Sequence, residues 1–306
     1  MIYRTTSTVS HRHLPLLLVD KKLKEPLYID QADLEPILQA HVGTHIFAEA
    51  LAEIEDGQEL VWSLANYIQF NSVFGSGVAN LAGEIASRQD LFRDPDETIE
   101  ITADRSVEVA AEIFFAAIDE FGGNSSSRRS THRSLAQATL KGCGCFLSLS
   151  TVELNNVATL ADSTQLAIRK VCEGYRINQA VDEPKLFRGI GFHIGSEVLA
   201  DQEFNILDEF LCANYPALVE YLKKTKVWIN GTENGSYVWI QIHTSVEADH
   251  FNAAVSGANL ALRYYAGDQT QACIKAWILE GFREFSVVQT AFMKLLSKRS
   301  RCVLAN

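Results

Sequence analysis

The stretch IQIHTSVEADHF, residues 240–251, places two histidines and two acids within eight positions, between apolar residues. Positions four and seven apart return to one face of an α-helix, so His243, Glu247 and His250 share a face, whereas Asp249 lies well round the helix. Two imidazoles with an intervening carboxylate are a suitable donor set for iron, manganese or zinc. The alternative is a helix N-terminus at which His243 caps the helix and Glu247 faces water.

The composition is that of a globular protein without a broad basic surface. The chain has 306 residues, 47% of them hydrophobic, which is enough to bury a core. The net charge of −11 opposes binding to nucleic acids or anionic membranes. No apolar run approaches the roughly 20 residues of a membrane span, and charged residues follow LPLLLV (14–19) where a signal peptide would need a cleavage site. We therefore expect a cytoplasmic protein that binds no membrane.

The six cysteines do not form a metal-binding pattern. Only Cys143 and Cys145 lie close together, in KGCGCF, and a thiolate site would need a second such pair. We expect reduced thiols in the core or on the surface.

Helical periodicity dominates the sequence and predicts an all-α fold. The predicted helices cover residues 44–54, 59–88 with a break at Gly75 and Gly77, 106–121 with a cap at Ser106, 130–142, 153–175, 196–224, 245–265 and 270–298. Two β-favouring runs around a Gly/Asn turn permit a small hairpin insertion at 226–242, or a loop into the next helix. We expect an irregular N-terminal arm over residues 1–34 and a single helical domain over 35–300.

Further acids and histidines lie on other apolar segments: Asp119 and Glu120 in FFAAIDEFGG, His132 in RRSTHRSLAQ, and His193, Glu197 and Glu203 in GFHIGSEVLADQEF. An acid buried without a partner would cost several kcal/mol or stay protonated. Burying these acids around one bound metal ion would therefore cost less free energy than burying each of them without a partner. The alternative is that Asp119 and Glu120 cap a helix end and that Glu197 lies in a first turn, where acids favour the macrodipole.

The order of these motifs resembles that of the haem-oxygenase-like diiron oxidases and oxygenases, in particular the Chlamydia death-domain-associating protein family and its cyanobacterial relatives. Those proteins combine Asp-Glu and a downstream His with a Glu on a later helix and His-x3-Asp-x2-His. The resemblance covers roughly residues 35–295. It implies a haem-oxygenase-like bundle of about seven core helices.

The resemblance also implies a ligand set for two Fe2+ ions: Glu120, His132, Glu197, His243, Glu247 and His250. Glu247 stands where the family usually has Asp, and the interval from Glu120 to His132 is longer than usual. Five more residues could add a ligand or orient one: Glu84, Glu112, His193, Glu203 and Asp249.

The activity implied by the resemblance is the O2-dependent oxidation of a small substrate in specialised-metabolite biosynthesis, by N-oxygenation, desaturation or C–C cleavage. An external electron donor and a homodimer fit this expectation. We favour an amino-acid-like substrate over a fatty acid because Arg128 and Arg129 could hold a carboxylate; the alternative is that both are solvated loop residues. Tyr67 and Phe70 could contact the substrate or belong to the core.

Two other functions stay open on the sequence. A metal-independent, thiaminase-like hydrolase of the same fold would need a cysteine nucleophile that faces the central cavity. A non-catalytic helical binding protein would use the acids and histidines only as helix caps and surface residues.

Overall fold

The fold is almost entirely helical, which confirms the prediction of an all-α protein. The structure, a computed structural model, describes residues 27–122 and 130–302. Arg128, Arg129 and residues 1–26 of the predicted arm lie outside the described residues. No helix in the described part is long and apolar enough to cross a membrane.

Twelve helices and one hairpin follow one another along the described chain. The helices are α1 Gln31–Ala40, α2 Gly43–Ala52, α3 Gly57–Asn71, α4 Phe74–Ala86, α5 Ser106–Glu120, α6 His132–Phe146, α7 Thr151–Val157, α8 Asp162–Gly174, α9 Glu183–Asn214, α10 Pro216–Lys224, α11 Val238–Tyr264 and α12 Gln271–Cys302. A short 3-10 turn at Glu100–Thr102 precedes α5.

The predicted hairpin is present and is shorter than the segment 226–242. Strands β1 Lys226–Ile229 and β2 Thr232–Gly235 pair antiparallel. Asn230 and Gly231 connect them with φ angles of 51° and 73°. Two successive positive φ angles make the tight turn that matches the twist of a two-stranded hairpin, and Asn-Gly adopts them at low cost.

Several predicted helix boundaries were wrong. The break between α3 and α4 falls at residues 72–73, so that Gly75 and Gly77 lie inside α4. Ser106 is already helical and its hydroxyl donates to the carbonyl of Ala86 at 3.0 Å, instead of capping α5. The segment 153–175 forms two helices, α7 and α8.

The two helices that carry the central residues begin earlier than predicted. Asp182 caps α9 by accepting from the backbone N–H of Lys185, with a proline in the first turn, where its missing N–H does no harm. Helix α11 begins at Val238, directly after the hairpin. His243 therefore lies inside a helix, and the alternative in which it caps a helix N-terminus is wrong.

Helix α9 runs through the centre of the molecule. Half of its 32 residues are buried, and every residue from 189 to 197 is buried, so the helix is covered on all sides. It packs against α11 and most extensively against α12. Donors placed between residues 189 and 197 of α9 consequently face the interior whichever way they point.

Candidate metal centre

A first group of three potential metal donors meets where α5, α6 and α11 converge. Glu120, His132 and His243 each offer one donor atom within 4.8 Å of the others. His132 Nδ1 lies 3.1 Å from Glu120 Oε1, and the rings of His132 and His243 are 4.6 Å apart. Both histidines are buried. A carboxylate and two imidazoles in this arrangement form one side of a transition-metal site.

Local sequence places the first two donors. Glu120 is the last residue of α5, and His132 is the first residue of α6, which Thr131 caps by accepting from the backbone N–H of Ser134. A Cβ atom at Gly75 would lie 2.8 Å from Cβ of Glu120. The absence of a side chain at Gly75 therefore lets the N-terminus of α4 pack directly against this acid.

The backbone fixes which nitrogen of His243 is available. Its Nδ1 lies 2.6 Å from the carbonyl oxygen of Trp239. A carbonyl only accepts, so Nδ1 carries the proton and Nε2 carries the lone pair. The ring stacks on Phe204 at 4.0 Å. Burial and the neighbouring His132 hold the pKa of His243 well below its usual value, so the imidazole is neutral, as a metal ligand must be.

A second group of donors forms around Glu197 on α9. His250 Nδ1 lies 3.5 Å from Glu197 Oε2, and His193 Nδ1 lies 3.1 Å from Glu197 Oε1. Burial acts to raise the pKa of Glu197, but His193 and His250 outweigh it and hold that pKa below its usual value. Glu197 is therefore an ionised carboxylate inside the protein, held by two imidazoles.

The sequence did not indicate the contacts that three further residues make around this second group. Asp119 Oδ2 lies 3.1 Å from His250 Nε2. Behind Glu197, the Tyr175 hydroxyl lies 2.6 Å from Ser196 Oγ and 3.3 Å from His193 Nδ1. Asp119 directly precedes a predicted ligand, which was a usable signal. Nothing near Tyr175 in the sequence indicates its position, because the contact joins α9 to the residue that follows α8.

The two groups open into one internal cavity of about 30 Å3. This volume accommodates roughly two water-sized groups. Its lining includes Glu120 and His243 from the first group, Glu197 and His250 from the second, and Glu203, Phe70, Phe74, Phe204 and Phe285. Two sets of carboxylate and imidazole donors thus face the same small space.

Other predicted site residues lie elsewhere. Asp249 is exposed, Glu84 of α4 lies near Arg88, and Glu112 packs against Gly257 of α11. None of these three acids lines the cavity, so no contact in the structure supports a part for them in the site.

Glu247 belongs to α11, but its side chain lies outside the described part of the structure. Its predicted role as a ligand stays a prediction.

Glu203 and the two predicted aromatic contacts do reach the cavity region. Glu203 Oε2 accepts from the Tyr67 hydroxyl at 2.8 Å, and Oε1 accepts from the Gln289 amide at 2.6 Å. Burial raises the pKa of Glu203 to about 7. Phe70 lines the cavity directly, whereas the Tyr67 hydroxyl bonds to a cavity-lining acid.

None of the five cysteines whose side chains the structure describes supplies a nucleophile to this cavity. Among the described residues, no cysteine lines it. Cys143 is fully buried, and burial raises the pKa of its thiol to about 12. A thiol with such a pKa is unreactive near neutrality. The structure therefore offers no support for a thiaminase-like reaction at this site.

Comparisons with known proteins do not assign the chain to a family. No model of a protein family matches its sequence, and no curated protein does. The donor geometry is therefore the basis on which function is inferred.

Proposed function

We propose that the protein is a haem-oxygenase-like, non-haem diiron oxidase or oxygenase that uses O2 to oxidise a small amino-acid-like substrate. The observation that supports this most is the cavity shared by two groups of buried carboxylate and imidazole donors. A group of caps and surface residues, as in a non-catalytic binding protein, would not leave His132, His193, His243 and His250 buried together.

The donors fit a pair of iron ions. Glu120, His132 and His243 would hold one ion, and Glu197 and His250, with Glu247 from the same face of α11, would hold the other. Imidazole nitrogens and carboxylate oxygens suit ferrous iron. The positive ions would balance the carboxylates, whose burial without a counter-charge would be costly. When bound, two ferrous ions would supply electrons and open coordination positions for the reduction of O2.

The residues around the donors orient them and keep the cavity dry. The carbonyl of Trp239 holds His243 in the tautomer that presents Nε2. Asp119 contacts His250 at the nitrogen that faces away from Glu197. Phe70, Phe74, Phe204 and Phe285 limit the water that can enter.

The substrate would be oxidised by N-oxygenation, desaturation or C–C cleavage. An external electron donor, pairing of two chains as a homodimer and a cytoplasmic location belong to the same proposal.

The test is stopped-flow absorption of anaerobically ferrous-loaded protein mixed with O2, with a panel of amino acids and fatty acids. We expect O2 consumption that depends on bound iron, and a transient visible band that an amino acid enhances. The variant His45→Ala serves as control because His45 is an exposed histidine paired with Glu49 at 3.3 Å, outside the cavity. Iron-loaded protein that consumes no O2 with any member of the panel would contradict the proposal.

A further inference from the structure

Glu203 is a buried acid that pairs with no cation in the part of the chain that the structure describes. It is only 3% exposed, and its two oxygens accept from the neutral groups of Tyr67 and Gln289. No lysine, arginine or histidine among the described residues contributes to its pKa. Such a carboxyl is expensive to bury, and groups of this kind concentrate at functional sites.

The surrounding structure is built to hold this acid. Gln289, which donates to Glu203, is fully buried, and its Oε1 approaches the backbone of α2. A Cβ atom at Gly43 would lie only 1.8 Å from that oxygen. Gly43 therefore makes room for the amide that orients Glu203, which accounts for a glycine in the first turn of α2.

The walls next to Glu203 suit a cation. Phe70, Phe74, Phe204 and Phe285 line the cavity with it, and no lysine or arginine among the described residues does so. Aromatic faces attract cations, and a carboxylate forms its strongest hydrogen bonds with a charged N–H donor. From this lining we propose that Glu203 and the neighbouring phenylalanines bind the ammonium group of a primary-amine substrate. That the bound amine would then be oxidised at neighbouring metal ions rests on the proposed function.

The size of the cavity limits the ligand to a small amine. A volume of about 30 Å3 admits an ammonium nitrogen and the carbon next to it. Phe285, which lines the cavity, and Phe192, which lines an outer groove, are both buried and their rings contact each other at 5.0 Å. These two rings separate the cavity from the groove.

Binding of the cation requires Glu203 to ionise. When an ammonium group binds, protonated Glu203 releases its own proton to the buffer. The product is an ion pair of ammonium and carboxylate, and its formation needs no other reactant. The other titratable groups that line the cavity are Glu120 on α5, Glu197 on α9, and His243 and His250 on α11. From α3, Tyr67 contacts Glu203 directly.

The experiment is infrared difference spectroscopy of the full chain at about pH 6, below the value to which burial raises the pKa of Glu203. The carbonyl band of the protonated carboxyl should disappear on addition of methylammonium chloride and persist with methanol, a neutral molecule of the same size. Zinc-loaded and metal-free protein are compared, with metal content measured for each sample. The variant Glu203→Gln should lack the band, and Glu209→Gln, an exposed acid on the same helix, should keep it and its response.

The outcomes separate this proposal from the metal site. A protein that binds metal but whose Glu203 band ignores methylammonium overturns the amine site and leaves the proposed function standing. Loss of metal in a folded Glu203→Gln variant would make Glu203 a ligand and also overturns it. If Glu203→Gln does not fold, the variant Gln289→Leu takes its place, since it keeps the Glu203 carboxyl and removes one of its two hydrogen-bond donors. In this variant the carbonyl band of Glu203 should persist to higher pH, and more methylammonium should be needed to abolish it. An unchanged response to methylammonium would count against the proposal.

Discussion

At the scale of single residues, the backbone decides how His243 can act. Its Nδ1–H donates to the carbonyl of Trp239 one turn earlier, so Nε2 is the nitrogen that points its lone pair away from the helix. His250, two turns further on, meets a carboxylate at each nitrogen. The two histidines thus present donors to different groups of acids, although they lie on one face of one helix.

The variant His243→Ala should remove one metal ion. We expect the iron content after anaerobic loading to fall from about two per chain to about one, because Glu120 and His132 alone are a weak two-donor site. His45→Ala, which removes an exposed histidine paired with Glu49 outside the cavity, should keep both ions. Equal iron content in His243→Ala and wild type, with the helical circular dichroism preserved, would exclude His243 as a ligand.

Glu203 should make the stability of the metal-free protein depend on pH. Its folded pKa is raised from 4.5 to about 7 by burial, so between these values the folded state binds more protons than the unfolded state. Stability due to this group is therefore present at low pH and is lost as pH rises through this window. The free energy of unfolding of Glu203→Gln, taken relative to that of wild type, should therefore rise by up to about 3 kcal/mol between pH 4.5 and pH 8. Urea unfolding at the two pH values measures this, and a difference that does not change with pH would contradict it.

Spacing along one helix predicted part of the site, and contacts between helices determined the rest. His243 and His250 were found because a helical period places them on one face. Asp119 was set aside in favour of Glu120, yet both acids contact histidines, since the end of α5 lies between α6 and α11. Tyr175 reaches Ser196 of α9, and Gln289 reaches Glu203, from other segments of the chain. No local sequence pattern encodes such contacts.

At the scale of elements, two glycines let α9 and α12 touch. A Cβ atom at Gly191 would lie 1.7 Å from the carbonyl oxygen of Ile278, and one at Gly281 would lie 1.9 Å from that of Arg188. Both neighbours are backbone atoms, which cannot move aside as a flexible side chain does. This contact holds α9, and with it Glu197 and Glu203, at a fixed depth in the bundle.

The variant Gly191→Ala should destabilise the protein by about 3 kcal/mol or more, because the two helices must separate to admit the methyl group. The matched control is Gly83→Ala in α4, where a Cβ atom would meet nothing within 4 Å. That substitution should stabilise the helix by about 0.5–1 kcal/mol. Chemical denaturation of both variants checks the pair, and equal effects would contradict the close contact of α9 with α12.

The helices themselves were more predictable than their ends. Apolar periodicity located most of them, but the start of α9 was missed because residues 189–195 are buried on every side and show no exposed polar face. The start of α11 escaped because the preceding hairpin and the helix share the same β-favouring run. In both cases the position of the helix start depends on packing against other segments of the chain. The sequence of one segment does not reveal that packing.

At the scale of the whole molecule, four helices from distant parts of the sequence bring the donors together. Helices α5, α9 and α11 each place at least one acid or histidine on the wall of the cavity. Helix α6 adds His132 beside Glu120 and His243, and the packing of α9 against α11 and α12 joins the two groups. A ligand that binds only the folded state stabilises it. Metal should therefore raise the melting temperature of the chain as well as occupy the site.

The most direct test of the account is the metal stoichiometry of the folded wild-type chain after anaerobic loading with ferrous iron and removal of unbound ions. The proposed pair of sites predicts about two irons per chain, with a matching rise in melting temperature. Well-folded protein that retains no iron, or that retains it equally after His132, His243 and His250 are all replaced by Ala, would contradict the claim that these side chains form a metal centre.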